Sequence, residues 1–217
     1  MPADPSTYSG LQASIIAWMD DSSDTFIARV PELIALSERR LSRKLNSPEM
    51  EASTTLALTD GATVLPSDLM EIRNVYIEYD NYRSKLKQET LEDFNFGYNT
   101  TETGRPYAFS LSGGNMNVRP LPDQTYAITM TYKQFLPALS DDNPTNWLLS
   151  KWPDLYLAHA LLTAVDFGFE TERLDWATNK AETLIAEVND AGQKMKWGAG
   201  PLVPCPPVRD VPRLRRY

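Results

Sequence analysis

The apolar residues of this chain change their spacing twice, and this change limits the folds open to it. Between Asp24 and Leu45 they recur at the spacing of a helix with one buried face, at Ile27, Val30, Ile34, Leu41 and Leu45. Glu38 and several basic residues are expected on other faces of this helix. From Thr54 to Tyr132 polar and apolar residues tend to alternate, as in Glu71–Tyr79, which is typical of strands buried on one side. After Leu139 the helical spacing returns. We therefore predict an α+β fold in which a β region is inserted between helical segments.

Turn signals divide the inserted region into short strands. Asp60-Gly61 follows a first apolar run, and Gly113-Gly114-Asn115 joins Tyr107–Leu111 to Met116–Arg119 as a hairpin. A helical or irregular piece from Glu89 to Phe96 interrupts the strands. We predict a small antiparallel β domain over residues 52–135.

The helical segments carry start and stop signals. Pro31 is expected to open the first main helix, since proline is accepted in a first turn. Ser150 is the expected N-cap of a helix that ends at Gly168, and another helix runs from about Thr171 to Trp197. One N-terminal helix and two C-terminal helices then form a bundle, a helical base made of residues 24–51 and 136–197. Residues 1–23 precede it as an N-terminal segment.

Residues 198–217 differ from the rest of the chain. They contain five prolines and no helical periodicity, so we expect an extended tail that builds no core of its own. Residues 193–217 hold six basic side chains against Asp210 alone, a net charge of +5, whereas the whole chain carries −8. The other 192 residues therefore carry −13. A basic tail on an acidic body is typical of an arm that binds a partner, and the acidic body makes a general nucleic-acid binder improbable.

Several classes of protein are excluded by composition. No stretch approaches the ~20 apolar residues of a membrane span, and the first residues lack the features of a secretory signal. We expect synthesis in a cytoplasm. The chain has one cysteine, Cys205, and one histidine, His159, which excludes an intrachain disulfide and a thiolate metal site.

No motif indicates catalysis, a cofactor or a metal. His159 is expected to be a packing histidine, partly buried with one hydrogen bond, and Cys205 receives no reactive role. Asp166 and Glu170 have a spacing more typical of surface charge than of a glycosidase pair. Asp141-Asp142-Asn143 lacks the rest of a calcium loop and is interpreted as a turn. The tryptophans are interpreted as core and interface anchors, namely Trp147, Trp152, Trp176 and Trp197.

A family resemblance rests on four sequence segments that occur in a fixed order. They are PELIALSERRLSRKL, MEASTTLAL, LPSDLMEIRNVYI and the long stretch from GRPYAFSLSGGN to NWLLSKWPDLYLAHALLTA. Their succession over residues 24–197 resembles the head-to-tail adaptor, or connector, proteins of tailed bacteriophages, particularly those of short-tailed phages. The resemblance implies a structural protein of the virion rather than an enzyme. It also implies a ring, expected to be a dodecamer, beneath the portal, with tail or nozzle proteins below and genomic DNA passing without sequence-specific binding.

The family's C-terminal segment commonly grips the portal, which agrees with the basic tail. The predicted portal-binding residues are Arg209, Arg213, Leu214, Arg215, Arg216 and Tyr217. Two alternatives stay open. One is a carbohydrate- or receptor-binding tail module that uses Tyr79, Tyr82 and Tyr98, and the other is a cell-wall hydrolase with a carboxylate pair.

Overall fold

The computed structural model describes residues 4–79, 82–98, 101–168 and 171–197. It confirms the α+β class, with helical segments on both sides of a β region. The helices are α1 (Tyr8–Met19), α2 (Asp24–Ile27), α3 (Val30–Lys44), α4 (Leu91–Phe96), α5 (Trp147–Lys151), α6 (Pro153–Gly168) and α7 (Thr171–Trp197). The strands are β1 (Glu51–Leu58), β2 (Ala62–Val64), β3 (Leu69–Tyr79), β4 (Tyr82–Lys85), β5 (Lys87–Gln88), β6 (Ala108–Ser112), β7 (Asn115–Arg119) and β8 (Tyr126–Gln134).

Helix α3 forms much as its sequence predicts. Pro31 lies in its first turn, and its buried face includes Val30, Ile34 and Leu41. The prediction that Ile27 continues this face is wrong, because Ile27 belongs to the separate helix α2 and is exposed. The hydroxyl of Ser23 accepts a hydrogen bond from the Phe26 N–H and starts that one-turn helix, so its side chains do not share the phase of α3.

Helix α1 was not predicted from the sequence. The hydroxyl of Thr7 accepts from the Gly10 N–H and caps the helix, and Leu11 and Ile15 have no exposed surface. The N–H of Tyr8 donates to the carbonyl oxygen of Pro144 at 2.8 Å and ties the helix to the distant C-terminal half. The N-terminal segment is thus part of the helical core.

The start of the C-terminal helices differs from the prediction that Ser150 is an N-cap. Asn146 caps α5 by accepting from the Leu149 N–H at 2.8 Å, so Ser150 lies inside that helix. The chain then bends at Trp152, and α6 begins with Pro153, whose missing N–H costs nothing at a first position. The predicted end of α6 at Gly168 and the predicted bounds of α7 are confirmed.

The strands form two sheets, with the orders β1-β8-β3-β4 and β2-β7-β6-β5. The predicted hairpin is confirmed: β6 and β7 are antiparallel, and Gly113 and Gly114 take the positive φ values, 58° and 80°, that a tight turn requires. The sheets are not antiparallel throughout, because β5 pairs with β6 in parallel. The helix α4 between these two strands supplies the crossover that a parallel pair needs.

The buried residues form two main clusters in the described part of the chain. The helical cluster contains Leu11, Ile34, Leu41 and Tyr156 among others and includes Leu136 and Leu139, where the chain returns from the strands. The second cluster joins the inner faces of both sheets, with Ile77 and Ile128 from one sheet and Phe109 and Val118 from the other. Among the described helices, none has the length and apolar content needed to cross a membrane.

Candidate interaction surfaces

The predicted portal-binding residues, Arg209, Arg213, Leu214, Arg215, Arg216 and Tyr217, lie outside the described residues. The description ends with α7 at Trp197. One residue before that end, the Lys196 ammonium lies 3.7 Å from the carboxylate of Glu51, the first residue of β1. The C-terminal end of α7 therefore lies beside the place where β1 begins.

A buried polar network holds together the junction between the helices and the strands. One carboxylate oxygen of Glu38 accepts from the Tyr156 hydroxyl at 2.6 Å and from the Leu139 N–H at 2.9 Å. The Asn146 amide donates to the Tyr156 hydroxyl at 3.1 Å and to the Pro137 carbonyl at 2.9 Å. These bonds fasten the segment that follows β8 to both α3 and α6.

Three further hydrogen bonds extend this junction. The Ser42 hydroxyl accepts from the Leu136 N–H at 3.1 Å and donates to the Glu38 carbonyl at 2.7 Å. The buried Lys133 ammonium of β8 donates to the Leu45 carbonyl at 2.6 Å, just beyond the end of α3. The last residues of β8 are thus bonded to the helical segment that precedes β1.

The prediction that Glu38 lies outside the apolar face of α3 is wrong. Glu38 lies four residues after Ile34 and three before Leu41, so it occupies the buried face of α3 itself. Burial raises the pKa of its carboxyl above the ordinary value, while the hydrogen bonds from Tyr156 and Leu139 act in the opposite direction. A carboxylate on an apolar helix face predicts a buried partner.

His159 is more deeply buried than predicted. It is 1% exposed, and its Nδ1 atom has no hydrogen-bond partner among the described residues, whereas one bond was expected. Its backbone carbonyl accepts from the hydroxyls of Ser37 and Thr163. Burial, reinforced by the positive charges of Lys44 and Arg40, lowers the pKa of the imidazole to about 4. The side chain is therefore a neutral packing group at pH 7.

This lowered pKa predicts an acid-sensitive contribution to stability. In the unfolded chain His159 gains its proton near pH 6.5 but in the folded protein only near pH 4, so stability falls as the pH drops through this window. The shift corresponds to roughly 3 kcal/mol between pH 7 and pH 4. Thermal unfolding across this range should show a smaller loss for His159→Leu than for the wild type. Equal acid sensitivity of the two proteins would contradict the assignment.

The acidic residues that could suggest catalysis or calcium binding take part in an ion pair and in a local turn. Asp166 forms an ion pair with Arg40 at 3.0 Å, while its predicted neighbour Glu170 lies outside the described residues. Asn143, at the end of the Asp141-Asp142 run, bonds back to the Ser140 hydroxyl and the Ala138 carbonyl, as in a local turn. Within the described ranges, no group of three or more His, Cys, Asp or Glu residues is arranged to hold a metal.

The tryptophans divide between core and surface. Trp147 and Trp152 pack against the helical cluster, as predicted. Trp176 is 62% exposed on α7, and Trp18, which the sequence analysis did not single out, is 63% exposed on α1. Trp197 ends α7, and its side chain lies outside the described part. Exposed tryptophans on the helical base are candidate contact points for a protein partner.

The tyrosines proposed for carbohydrate binding fall into two places. Tyr79 and Tyr82 face each other across the β3–β4 pair, and Tyr82 is 77% exposed. Tyr98 packs between Phe94 and Tyr107, with ring centroids 5.9 Å from each. The Tyr98 hydroxyl is also bonded to Glu89, and burial with this bond raises the pKa of Tyr98 to about 12. The Tyr98 side chain therefore packs within the protein, whereas the exposed Tyr82 side chain could contact a ligand.

Comparison with known proteins identifies the family of this chain. A search of curated proteins gave no match to the chain. The family model of the SU10 adaptor protein matches residues 6–204, which cover both helical segments, the β region and the beginning of the tail. Such a match over most of the chain confirms the resemblance noted in the sequence. The chain belongs to the SU10 adaptor protein family, a family of bacteriophage head-to-tail adaptors.

Proposed function

We propose that this protein is a structural subunit of the virion neck, forming a dodecameric ring that joins the portal to tail or nozzle proteins and continues the DNA channel. The observation that carries this proposal is the family match over residues 6–204. Membership of the family indicates the adaptor role. The ring, the portal contact and the DNA channel are what we propose in addition.

The division of charge supports the proposed portal contact. Residues 193–217, which comprise the end of α7 and the tail, carry a net charge of +5 against −13 in the rest of the chain. Arg209, Arg213, Arg215 and Arg216 suit carboxylates on a partner because guanidinium groups form two-pronged, charge-assisted bonds. Leu214 and Tyr217 would supply apolar anchors among them.

The acidic body suits the wall of a DNA channel. Like charges repel the phosphate backbone, so a genome would slide past such a wall instead of adhering to it. Contacts with the phosphate backbone require clustered Lys and Arg, and the net charge of −13 on residues 1–192 opposes such binding.

A ring requires that two different surfaces of one subunit fit together. On the helical base, Trp18 of α1 and Trp176 of α7 expose 63% and 62% of their surface and belong to different helices. Large exposed aromatic side chains are frequent anchors of protein interfaces. We propose these two tryptophans as contacts between neighbouring subunits.

The free protein is expected to be largely monomeric and to form the ring on a portal template. The acidic bodies repel each other at low salt, so closure needs the additional contacts that a portal provides. Sedimentation velocity of the pure protein should give a monomer at micromolar concentration, and added portal should shift it to the portal's boundary. A stable ring without portal would contradict the templated assembly.

We also propose that the chain is divided into a helical base of residues 24–51 and 136–197, joined by α1 of the N-terminal segment, and a β domain of residues 52–135. The separate helical and sheet clusters of buried residues support this division. Limited proteolysis should cut first after Gly198 and between residues 99 and 104, where Thr and Gly cluster. Early cleavage within Leu155–Val188 would contradict it.

A further inference from the structure

The outer edge of β1 is unpaired in the described part of the chain. β1 is the terminal strand of its sheet and pairs along its whole length with β8 only. The Glu51 N–H donates to the carbonyl oxygen of Pro48, and outside the ladder no backbone hydrogen bond between described residues involves residues 52–58. Peptide groups along such an edge are free to pair with another extended segment.

This edge lacks the features by which proteins usually block unwanted pairing. Residues 52–58, Ala-Ser-Thr-Thr-Leu-Ala-Leu, contain no charge, proline or glycine, and the register with β8 shows no bulge. The opposite edge of the same sheet is β4, which is only four residues long and carries Arg83 and Lys85. Short charged edge strands resist pairing, and long uncharged ones invite it. This difference between the two edges indicates that another extended segment pairs with β1.

The chain itself brings a candidate strand to this edge. The 3.7 Å contact between Lys196 and Glu51 places the end of α7 beside the first residue of β1. Residues 198–217 follow. An extended strand advances ~3.3 Å per residue, so eight residues of the tail match the eight residues of β1. A tail running away from Lys196 along this edge would lie parallel to β1.

The prolines of the tail have the spacing that an edge strand tolerates. A strand directs alternate N–H groups to opposite sides, and proline fits where its missing N–H points away from the ladder. Pro204 and Pro206 are two residues apart and would both face solvent. Pro201 has the opposite phase, and it would be the first residue of the paired strand, where a proline is tolerated. Val203 and Cys205 keep their N–H groups and would both face β1.

We propose that residues 201–206 of the tail pair with the outer edge of β1 in the same chain. Pairing within the chain is favoured over pairing with another copy because a short tether gives a high effective concentration. The proposal concerns only the first part of the tail and leaves Arg209–Tyr217 beyond the paired strand. It is therefore independent of the portal contact, and each can fail without the other.

Cross-linking through the chain's single cysteine tests the proposal in the full-length protein. Cys205 would lie near the end of β1, so a short bismaleimide should join it to the new thiol of Ala57→Cys within one chain. The matched control is Arg83→Cys, an exposed position at the opposite edge of the sheet. Peptide mapping should find the intrachain product in the first variant and little in the control.

A second pair of variants tests the hydrogen-bonding side of the tail. In the Ala57→Cys background, Val203→Pro removes an N–H that faces β1 and should lower cross-linking by roughly five-fold, the effect of one lost hydrogen bond. Leu202→Pro removes an N–H that faces solvent and should change it little. Cross-linked dimers would assign the edge to a second copy's tail. That result, no product, or equal effects of the two prolines would overturn the proposal.

Discussion

Replacing Arg213, Arg215 and Arg216 with alanine is expected to weaken binding to the portal by about a hundredfold or more. Each charge-assisted bond to a partner contributes roughly 1.5–3 kcal/mol, so the loss of even two of them gives an effect of this size. The melting temperature should change little, since residues beyond Gly198 have no helical periodicity and add little to a core. A binding titration against purified portal rings at low and high salt measures the effect, which should be smaller at high salt.

The control removes the same charge from the body. Arg29, Arg43 and Arg83 are exposed positions on the helical base and the β region, and their triple alanine variant should bind portal with nearly unchanged affinity. A chain that stops after Val208 should behave like the tail variant. If the tail variant binds like the wild type, the portal contact lies on the helices instead.

Glu38→Ala is expected to destabilise the protein by about 3 kcal/mol, because it leaves two buried donors without an acceptor. The Tyr156 hydroxyl and the Leu139 N–H both donate to the same carboxylate oxygen, and all three groups are buried. For a chain of this size the change corresponds to a fall of roughly 6–12 °C in melting temperature. Thermal unfolding at neutral pH measures it.

Two matched variants separate the network from simple loss of a carboxylate. Glu38→Gln keeps an acceptor and carries no charge, so it should cost less than Glu38→Ala. Glu187→Ala removes an exposed carboxylate from α7 and should shift the melting temperature little. An effect of Glu38→Ala as small as that of Glu187→Ala would mean that the junction does not depend on this network.

The sequence predicted the structure best where apolar residues followed a single helical or strand spacing, or where glycines marked a turn. The buried face of α3 and the bounds of α7 followed from apolar spacing, and the β6–β7 hairpin followed from Gly113-Gly114. Helix α1 was missed because only two fully buried side chains, Leu11 and Ile15, mark its inner face. Its stability comes from contacts with helices that are distant in the sequence, which local periodicity cannot show.

Other differences arose from bonds that a local pattern does not specify. Asn146 and Ser150 are both acceptable caps by residue type, and only Asn146 has the extended backbone of an N-cap, with φ −137° and ψ 173°, while Ser150 lies inside α5. Pairing of β5 with β6 depends on the crossover through α4, which strand propensity does not encode. The proposed portal-binding residues were identified by charge and by family resemblance, and they remain a prediction.

The measurement that tests the adaptor assignment most directly is electron microscopy of purified portal rings mixed with this protein. We expect a second ring of density at one end of the portal, coaxial with it and with twelve-fold symmetry. The Arg213, Arg215 and Arg216 triple variant should leave most portals bare under the same conditions. Wild-type protein that leaves portals bare, or that binds without forming a ring, would contradict the proposed function as a ring-forming adaptor.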